Sequence, residues 1–168
     1  YSSKSSVLGN PYIVSLDNLG NNIYSESELN EIKLSITNEV NYKAVYANKD
    51  KIFNLISERV NYNDNEYQQF LENDLIKKHI TFITLSEVYK SSWSEWSSDY
   101  QNFSEELFDM VFDEYKDIFI KNLFLQFEFN KQWQKLKSYA NNNNVRILGD
   151  IPIYVNHNSA DVWLDKHL

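Results

Sequence analysis

The residues of this chain that are best placed to do chemistry follow a short apolar run. Val145, Ile147 and Leu148 are branched apolar residues, and Gly149 and Asp150 come directly after them. A run of this kind is typical of a strand that is buried on both faces of a parallel sheet. Because α/β sheets and (β/α) barrels build their sites at the carboxyl ends of strands, we expect Asp150 to contact a ligand. A solvated or helix-capping carboxylate is the alternative.

The residues after Asp150 define the path of the chain away from this strand. Pro152 fixes its own φ and restrains the residue before it to an extended conformation. Ser159 stands where a helix can begin, which predicts a helix cap, and Asp161 then lies in the first turn. Trp163 is predicted to pack as an aromatic residue of the core.

Two tryptophans and three histidines are the remaining candidates. Trp93 and Trp96 could stack on sugar rings, but tryptophans this close to a helix end usually belong to a local core. His157 is predicted to be an exposed loop histidine. His79 and His167 are far apart and lack acidic partners, so they do not indicate a metal site. Ser/His/Asp, glycine-rich phosphate-binding and zinc-binding patterns are absent from the sequence, and we expect no metal or organic cofactor.

The composition is that of one ordinary globular core. The chain has 168 residues, of which 42% are hydrophobic. Its 16 basic and 24 acidic residues give a net charge of -8, which opposes nucleic-acid binding. Cysteine is absent, so disulfides and thiolate metal sites are excluded and a reducing compartment is permitted. No apolar run approaches the roughly 20 residues that a membrane-spanning helix needs.

Helices are expected to position the candidate residues over most of the chain. Residues 21–144 contain neither Gly nor Pro, which favours helix. Ser25 and Glu28 form a capping-box pattern for a first helix. Further helices are predicted over 41–60 and 118–140 and from Ser104, and two short ones within 66–88, whereas residues 11–16 are predicted to be extended. Four asparagines at 141–144 end the last helix, and a helix, a tight turn and a buried strand make one step of an α/β fold.

The block around Asp150 resembles a known family. It contains Gln126-Phe127, Phe129, Gln132-Trp133, Leu136-Lys137 and Tyr139-Ala140, then Ile147-Leu148-Gly149-Asp150-Ile151-Pro152-Ile153-Tyr154-Val155 and Ser159-Ala160-Asp161-Val162-Trp163. Tyr1 with Gly9-Asn10-Pro11-Tyr12, and Asn41-Tyr42-Lys43-Ala44-Val45-Tyr46-Ala47-Asn48-Lys49, match in the same order. These motifs resemble the amylomaltase or disproportionating-enzyme family of 4-alpha-glucanotransferases, which is glycoside hydrolase family 77.

The resemblance implies an α/β fold, namely the early strands of an incomplete (β/α)8 TIM barrel with a large helical insertion. Residues 1–20 would form an early barrel strand and loop, 21–117 a mainly helical insertion, and 118–168 a barrel helix, the strand ending at Asp150 and the following loop. The matching motifs imply substrate binding by Asp150 and Tyr1, with supporting roles for Asn10, Pro152, Ser159, Asp161 and Trp163.

The resemblance also implies an activity. Such enzymes move a segment of an α-1,4-glucan, or maltooligosaccharide, to an acceptor sugar through a covalent intermediate, using two carboxyl groups. We expect the nucleophile and the acid/base to lie beyond Leu168, so no catalytic residue is assigned and this stretch alone is expected to be inactive. The expected compartment is the cytoplasm or a plastid. An α-glucan hydrolase and a non-catalytic helical module that binds a partner or a glycan are the alternatives.

Overall fold

The structure is a computed structural model that describes residues 3–19, 23–35, 38–150 and 153–167. Over these residues the chain consists of α-helices joined by loops and short 3-10 helices. The α-helices are α1 (Glu26–Ile32), α2 (Tyr42–Ser57), α3 (Asn65–Leu71), α4 (Asp74–Tyr89), α5 (Glu105–Glu114), α6 (Lys116–Asn142) and α7 (Ala160–Leu164). The 3-10 helices cover Pro11–Ile13, Leu16–Asn18, Trp93–Glu95 and Ser98–Tyr100. The helices predicted between residues 26 and 140 are therefore confirmed.

Local sequence explains where these helices begin. Ser25 and Glu28 form the predicted capping box, in which Glu28 N–H donates to Ser25 Oγ at 3.3 Å and Ser25 N–H donates to Glu28 Oε2 at 2.6 Å. Arg59 donates to Glu28 Oε1 at 2.6 Å, and this bond is the main reason that the pKa of Glu28 is lowered to about 2. Ser104 Oγ accepts from Leu107 N–H at 3.1 Å, which confirms the predicted start of α5.

The long helix α6 connects the two hydrophobic cores of the described chain. Phe119 and Leu123 pack in a core with α4, α5 and α7, whereas Phe124 and Leu125 pack in a second core with α2 and the N-terminal segment, residues 3–19. The second half of α6 is less covered, and Leu136 is 53% exposed. None of the described helices is both long enough and apolar enough to cross a membrane.

The tryptophans near the helix ends belong to the first core, as predicted. Trp93, Trp96 and Trp163 are all buried there. Trp163 Nε1 donates to Tyr100 O at 2.9 Å, and Trp93 Nε1 donates to the backbone oxygen of His157 at 2.7 Å. The side chain of His157 is exposed, which confirms the loop prediction.

The predicted strand before Asp150 is wrong. Asn144 adopts a left-handed conformation with φ of 58°, and Val145 N–H donates back to Ala140 O at 2.9 Å, which ends α6. Residues 145–150 then follow without regular secondary structure, and Leu148 is 97% exposed. Asp150 is therefore not buried at the end of a strand.

The predicted fold class is wrong for a related reason. The described residues contain no strand, so this part of the protein is all-α and is neither an α/β fold nor an incomplete (β/α)8 TIM barrel. A strand is stable only when neighbouring strands satisfy its backbone N–H and C=O groups, and the described chain offers none to residues 145–148. The extended run predicted for residues 11–16 is also wrong, because Pro11 starts a 3-10 helix there.

Candidate functional site

A cleft of about 880 Å³ lies between the N-terminal segment and three helices. Residues 3–12 form one wall, and α2, α4 and α6 form the others. Tyr12, Asp50 and Glu87 are among the side chains that line it. The shape of the cleft therefore depends on how a largely irregular segment is held against helices.

Two glutamines of α6 hold this segment by its backbone. Gln126 Oε1 accepts from Gly9 N–H at 2.9 Å, and Gln126 Nε2 donates to Gly9 O at 3.1 Å. Gln132 makes the same pair of bonds with Ser15, both at 2.9 Å. Each side-chain amide supplies one donor and one acceptor, so the glutamines replace the partners that these backbone groups would have in a sheet.

Glycine at position 9 is required by the closeness of α6. A Cβ atom there would lie 2.1 to 2.3 Å from ring atoms of Phe129, far inside van der Waals contact. Phe129 itself packs against the second core, so the ring cannot move away without disturbing that core. Gly9 therefore lets the N-terminal segment approach the helix closely.

Two consecutive residues of α2 hold Tyr12. Lys49 Nζ donates to Tyr12 O at 2.5 Å and to Val14 O at 2.9 Å. Tyr12 OH donates to Asp50 Oδ1 at 2.8 Å. Burial lowers the pKa of Lys49, and burial together with the bond to Asp50 raises the pKa of Tyr12. One helix therefore fixes both the backbone and the phenol group of this tyrosine.

Tyr12 belongs to an aromatic row, which consists of Tyr12, Tyr46 and Tyr42. The ring centroids of Tyr12 and Tyr46 are 4.5 Å apart, and those of Tyr46 and Tyr42 are 6.3 Å apart. Tyr42 is 63% and Tyr46 42% exposed. Such rings offer an apolar face with a polar tip, which suits a flat ligand with hydroxyl groups at its edge.

The α4 and α6 walls of the cleft carry paired polar groups. Lys121 forms an ion pair with Glu87, and Asn122 Nδ2 donates to Thr84 Oγ1 at 3.3 Å. The described residues contain no group of three or more His, Cys, Asp or Glu side chains arranged to hold a metal. The cleft therefore presents hydrogen-bond donors and acceptors, with charges of both signs, to a polar ligand.

His79 of α4 fixes the beginning of the N-terminal segment. Ser5 Oγ accepts from Val7 N–H at 3.0 Å and from Leu8 N–H at 2.8 Å, and lies 2.8 Å from His79 Nδ1. Because a hydroxyl group has two acceptor sites and one proton, Ser5 donates its proton to Nδ1 and His79 is neutral. Burial lowers the pKa of His79, although Asp161 acts in the opposite direction. His79 is thus a buried hydrogen-bond acceptor.

Of the predicted ligand-binding residues, Asn10 alone is described by the structure as lining the cleft. The side chain of Asp150 is exposed and makes no hydrogen bond or ion pair with another described residue. Tyr1 and Pro152 lie outside the described residues, so their roles stay predictions. Asn10 does line the cleft, where its Oδ1 accepts from Tyr12 N–H at 3.0 Å.

The other three supporting candidates lie within α7 or directly before it. Ser159 caps this helix as predicted, because its Oγ accepts from Val162 N–H at 3.4 Å. Asp161 accepts from the N–H and the hydroxyl group of Ser6, which ties the N-terminal segment to α7. Trp163 is 1% exposed. These contacts are structural, and a supporting role in ligand binding stays a prediction.

Three residues that shape the cleft were not assigned by sequence reasoning. Lys49, Gln126 and Gln132 all lie within the motifs that carry the family resemblance, and that match is the signal that could have singled them out. Both glutamine contacts join residues 117 positions apart. Hydrophobic periodicity and helix caps describe only local structure and cannot reveal such contacts.

The whole chain, residues 1–168, matches the family model described as 4-alpha-glucanotransferase. A 4-alpha-glucanotransferase of Clostridium butyricum is 33% identical over 169 residues, which cover 97% of this chain. The chloroplastic/amyloplastic 4-alpha-glucanotransferase of Solanum tuberosum is 30% identical over 176 residues, covering 99% of this chain. These alignments span only 35% and 30% of the two relatives, so the chain corresponds to about a third of their length.

The fold is shared with a solved structure. An amylomaltase from Streptococcus agalactiae, determined in complex with acarbose, matches with a TM-score of 0.85 and 24% identity. The match covers 100% of this chain and 36% of that protein. The helical arrangement around the cleft therefore recurs in a protein of low sequence identity.

Proposed function

The chain belongs to the 4-alpha-glucanotransferase family, and from this we propose that its protein transfers a segment of an α-1,4-glucan to an acceptor sugar. The observation that carries the proposal is the family match over residues 1–168. Because the chain corresponds to about a third of its relatives, we assign it a share in saccharide binding and infer the activity for the whole protein. The proposed substrates are maltodextrin, glycogen or starch chains.

The proposed reaction is a retaining transfer. A carboxylate displaces the leaving sugar from C1 of the donor glucan while a carboxylic acid protonates the departing oxygen, and a glycosyl-enzyme forms. An acceptor sugar hydroxyl, deprotonated by the same second carboxylate, then attacks C1 and releases the nucleophile. The carboxylates in the cleft, Asp50 and Glu87, are bonded to Tyr12 and Lys121, and neither is assigned a catalytic role.

Within this reaction we assign substrate contacts to Asp150 and Tyr1. The carboxylate of Asp150 can accept hydrogen bonds from two neighbouring sugar hydroxyl groups, and its exposure leaves it accessible to a ligand. A tyrosine at position 1 offers a ring face and a hydroxyl group to a pyranose. Both assignments follow the matching motifs of the family.

The aromatic row is a second proposed contact with the glucan. Tyr42 and Tyr46 are exposed and provide stacking faces, and the cleft beside Tyr12 provides further polar side chains, among them Asn54, Glu87 and Asn122. Saccharides are commonly held by this combination because their ring faces are apolar and their edges carry hydroxyl groups. The row would therefore bind a stretch of glucan without taking part in bond cleavage.

The decisive experiment replaces Asp150 by Ala in the full-length protein and follows maltotriose by chromatography. We expect transfer to fall by about 100-fold or more, because the lost contact lies near the reacting carbon. The melting temperature should not change, since Asp150 makes no hydrogen bond or ion pair with another described residue. Asp109→Ala, at an exposed position on α5, is the matched control and should keep the wild-type rate. Wild-type transfer by folded Asp150→Ala protein would contradict the assignment.

The products of maltotriose separate the proposed transferase from its alternatives. Glucose together with longer maltooligosaccharides indicates transfer. Glucose and maltose alone would indicate a hydrolase, and binding without any product would indicate a non-catalytic module.

We further propose that the protein works in the cytoplasm. The absence of cysteine is compatible with a reducing compartment. A plastid is the second candidate, because the Solanum tuberosum relative is named for the chloroplast and amyloplast. Cell fractionation with an antibody against the protein tests this point.

A further inference from the structure

We propose that Lys49 and Asp50 are positioning residues that set the ring of Tyr12 for stacking against a saccharide. This inference rests on the proposed glucan binding by the aromatic row and deepens it. Neither residue is assigned a contact with the sugar or with the reacting atoms.

Lys49 fixes the backbone of Tyr12 and of the residues that follow it. Its ammonium group bonds two carbonyl oxygens, those of Tyr12 and Val14, which lie on either side of Ile13. Among the described residues, Lys49 has no carboxylate partner, so its charge is directed at these carbonyl groups. Charge-assisted bonds are the stronger kind of hydrogen bond, which suits a short 3-10 helix with few bonds of its own.

Asp50 fixes the far end of the same side chain. The phenol group of Tyr12 donates to Asp50 Oδ1, while the ring packs against Tyr46 and lies 6.3 Å from Phe53. With its hydroxyl group anchored and its ring in contact with others, Tyr12 has little rotamer freedom left to lose. A preorganised ring binds a ligand at a lower entropic cost than a mobile one.

The bond between Asp50 and Tyr12 lies where it can affect ligand binding while adding little to the stability of the fold. Asp50 is exposed, and its bond to Tyr12 lies at the rim of the cleft. An exposed hydrogen bond between side chains exchanges with water and adds little to the stability of the fold. Its loss should therefore affect ligand binding more than unfolding.

The test compares Asp50→Ala, Tyr12→Phe and the double variant in the full-length protein, with maltoheptaose as donor. Each single change should raise KM by about tenfold and leave kcat unchanged, because binding away from the reacting bond is lost. The double variant should raise KM no further, since both changes break the same bond. A further increase in the double variant would show that Asp50 or the Tyr12 hydroxyl group contacts the sugar directly and would overturn the proposal, as would an unchanged KM in both single variants.

Lys49 is tested by substitution and conservative rescue. Lys49→Met should raise KM, and Lys49→Arg should restore most of the affinity, because a guanidinium group can also donate to two carbonyl oxygens. Asn73→Ala removes a helix cap of α4 and serves as a control for destabilisation alone. If it raises KM as much as Lys49→Met at an equal loss of melting temperature, Lys49 has only a structural role.

Tyr12→Ala separates this inference from the function on which it rests. An unchanged KM in that variant would reject the aromatic row as a glucan contact. A raised KM in Tyr12→Ala together with wild-type KM in Asp50→Ala and Tyr12→Phe would reject the positioning inference and leave the aromatic row as a glucan contact.

Discussion

At the scale of single residues, hydrogen-bonding capacity determines what the polar side chains around the cleft do. Ser5 accepts two backbone N–H groups and has one proton left for His79. Protonation of His79 would turn Nδ1 from an acceptor into a donor, and Ser5 has no free acceptor site to receive that proton. The anchoring of the N-terminal segment is therefore sensitive to acid at this point.

Replacing His79 by Asn is expected to reduce the loss of stability at acidic pH. The pKa of His79 in the folded state lies below its ordinary value of 6.5, so the unfolded state binds a proton more readily. The stability contributed by neutral His79 is present above about pH 6.5 and is lost as pH falls, by at most about 1.4 kcal/mol per pH unit. Asn keeps an acceptor oxygen for Ser5 but takes up no proton. Urea unfolding at pH 5, 6, 7 and 8 measures the difference.

His167→Asn is the matched control for this experiment. His167 is exposed, and its replacement should leave the pH dependence of stability close to that of the wild type. If the free energy of unfolding falls equally steeply between pH 6.5 and 5 in the wild type and in His79→Asn, the neutral state assigned to His79 is contradicted.

At the scale of secondary structure, the ends of α4 and α6 differ in how well the local residue suits a left-handed backbone. Both α4 and α6 end in a residue with a left-handed backbone, Lys90 with φ of 53° and Asn144 with φ of 58°. Glycine adopts this conformation without strain and Asn tolerates it, whereas the Cβ atom of a lysine is sterically strained in it. The end of α4 is therefore strained and that of α6 is not.

Lys90→Gly is expected to stabilise the protein by about 0.5 to 1 kcal/mol, because it removes the steric strain at the end of α4. Lys90 is exposed, so its side chain contributes little packing. Lys90→Ala is the control, since it removes the side chain but keeps the Cβ atom. Chemical denaturation should show a gain for Gly alone; equal stability of the two variants would show that the conformation is not strained.

At the scale of the whole molecule, the described chain leaves an apolar surface uncovered. Leu148 is 97% exposed and Tyr154 is 89% exposed, and apolar residues of the second half of α6 are also exposed. Large exposed apolar side chains promote association or the binding of hydrophobic molecules. The surface therefore determines how this stretch behaves in isolation.

The isolated stretch is expected to bind a hydrophobic dye such as anilinonaphthalene sulfonate. Leu148→Lys combined with Tyr154→Lys should lower the fluorescence without lowering the melting temperature, because both side chains are almost fully exposed. Ile13→Lys, at a position remote in sequence, is the control and should have a smaller effect. Equal fluorescence of the double variant and the wild type would place the dye site elsewhere.

Local features and family membership could be obtained from the sequence alone. The capping residues Ser25, Ser104 and Ser159 predicted helix starts correctly, because a cap involves only residues within one turn. The motifs around Asp150 likewise indicated the family without any structure.

Only the tertiary structure decided the fold of residues 145–150 and the construction of the cleft. A buried strand and an exposed loop can share one apolar sequence, since the difference lies in whether neighbouring strands satisfy the backbone. The contacts of Gln126, Gln132 and Lys49 with the N-terminal segment bridge long stretches of chain, and their geometry exists only once the helices are packed. Hydrogen bonds between adjacent residues are encoded locally, whereas those between distant ones depend on the fold.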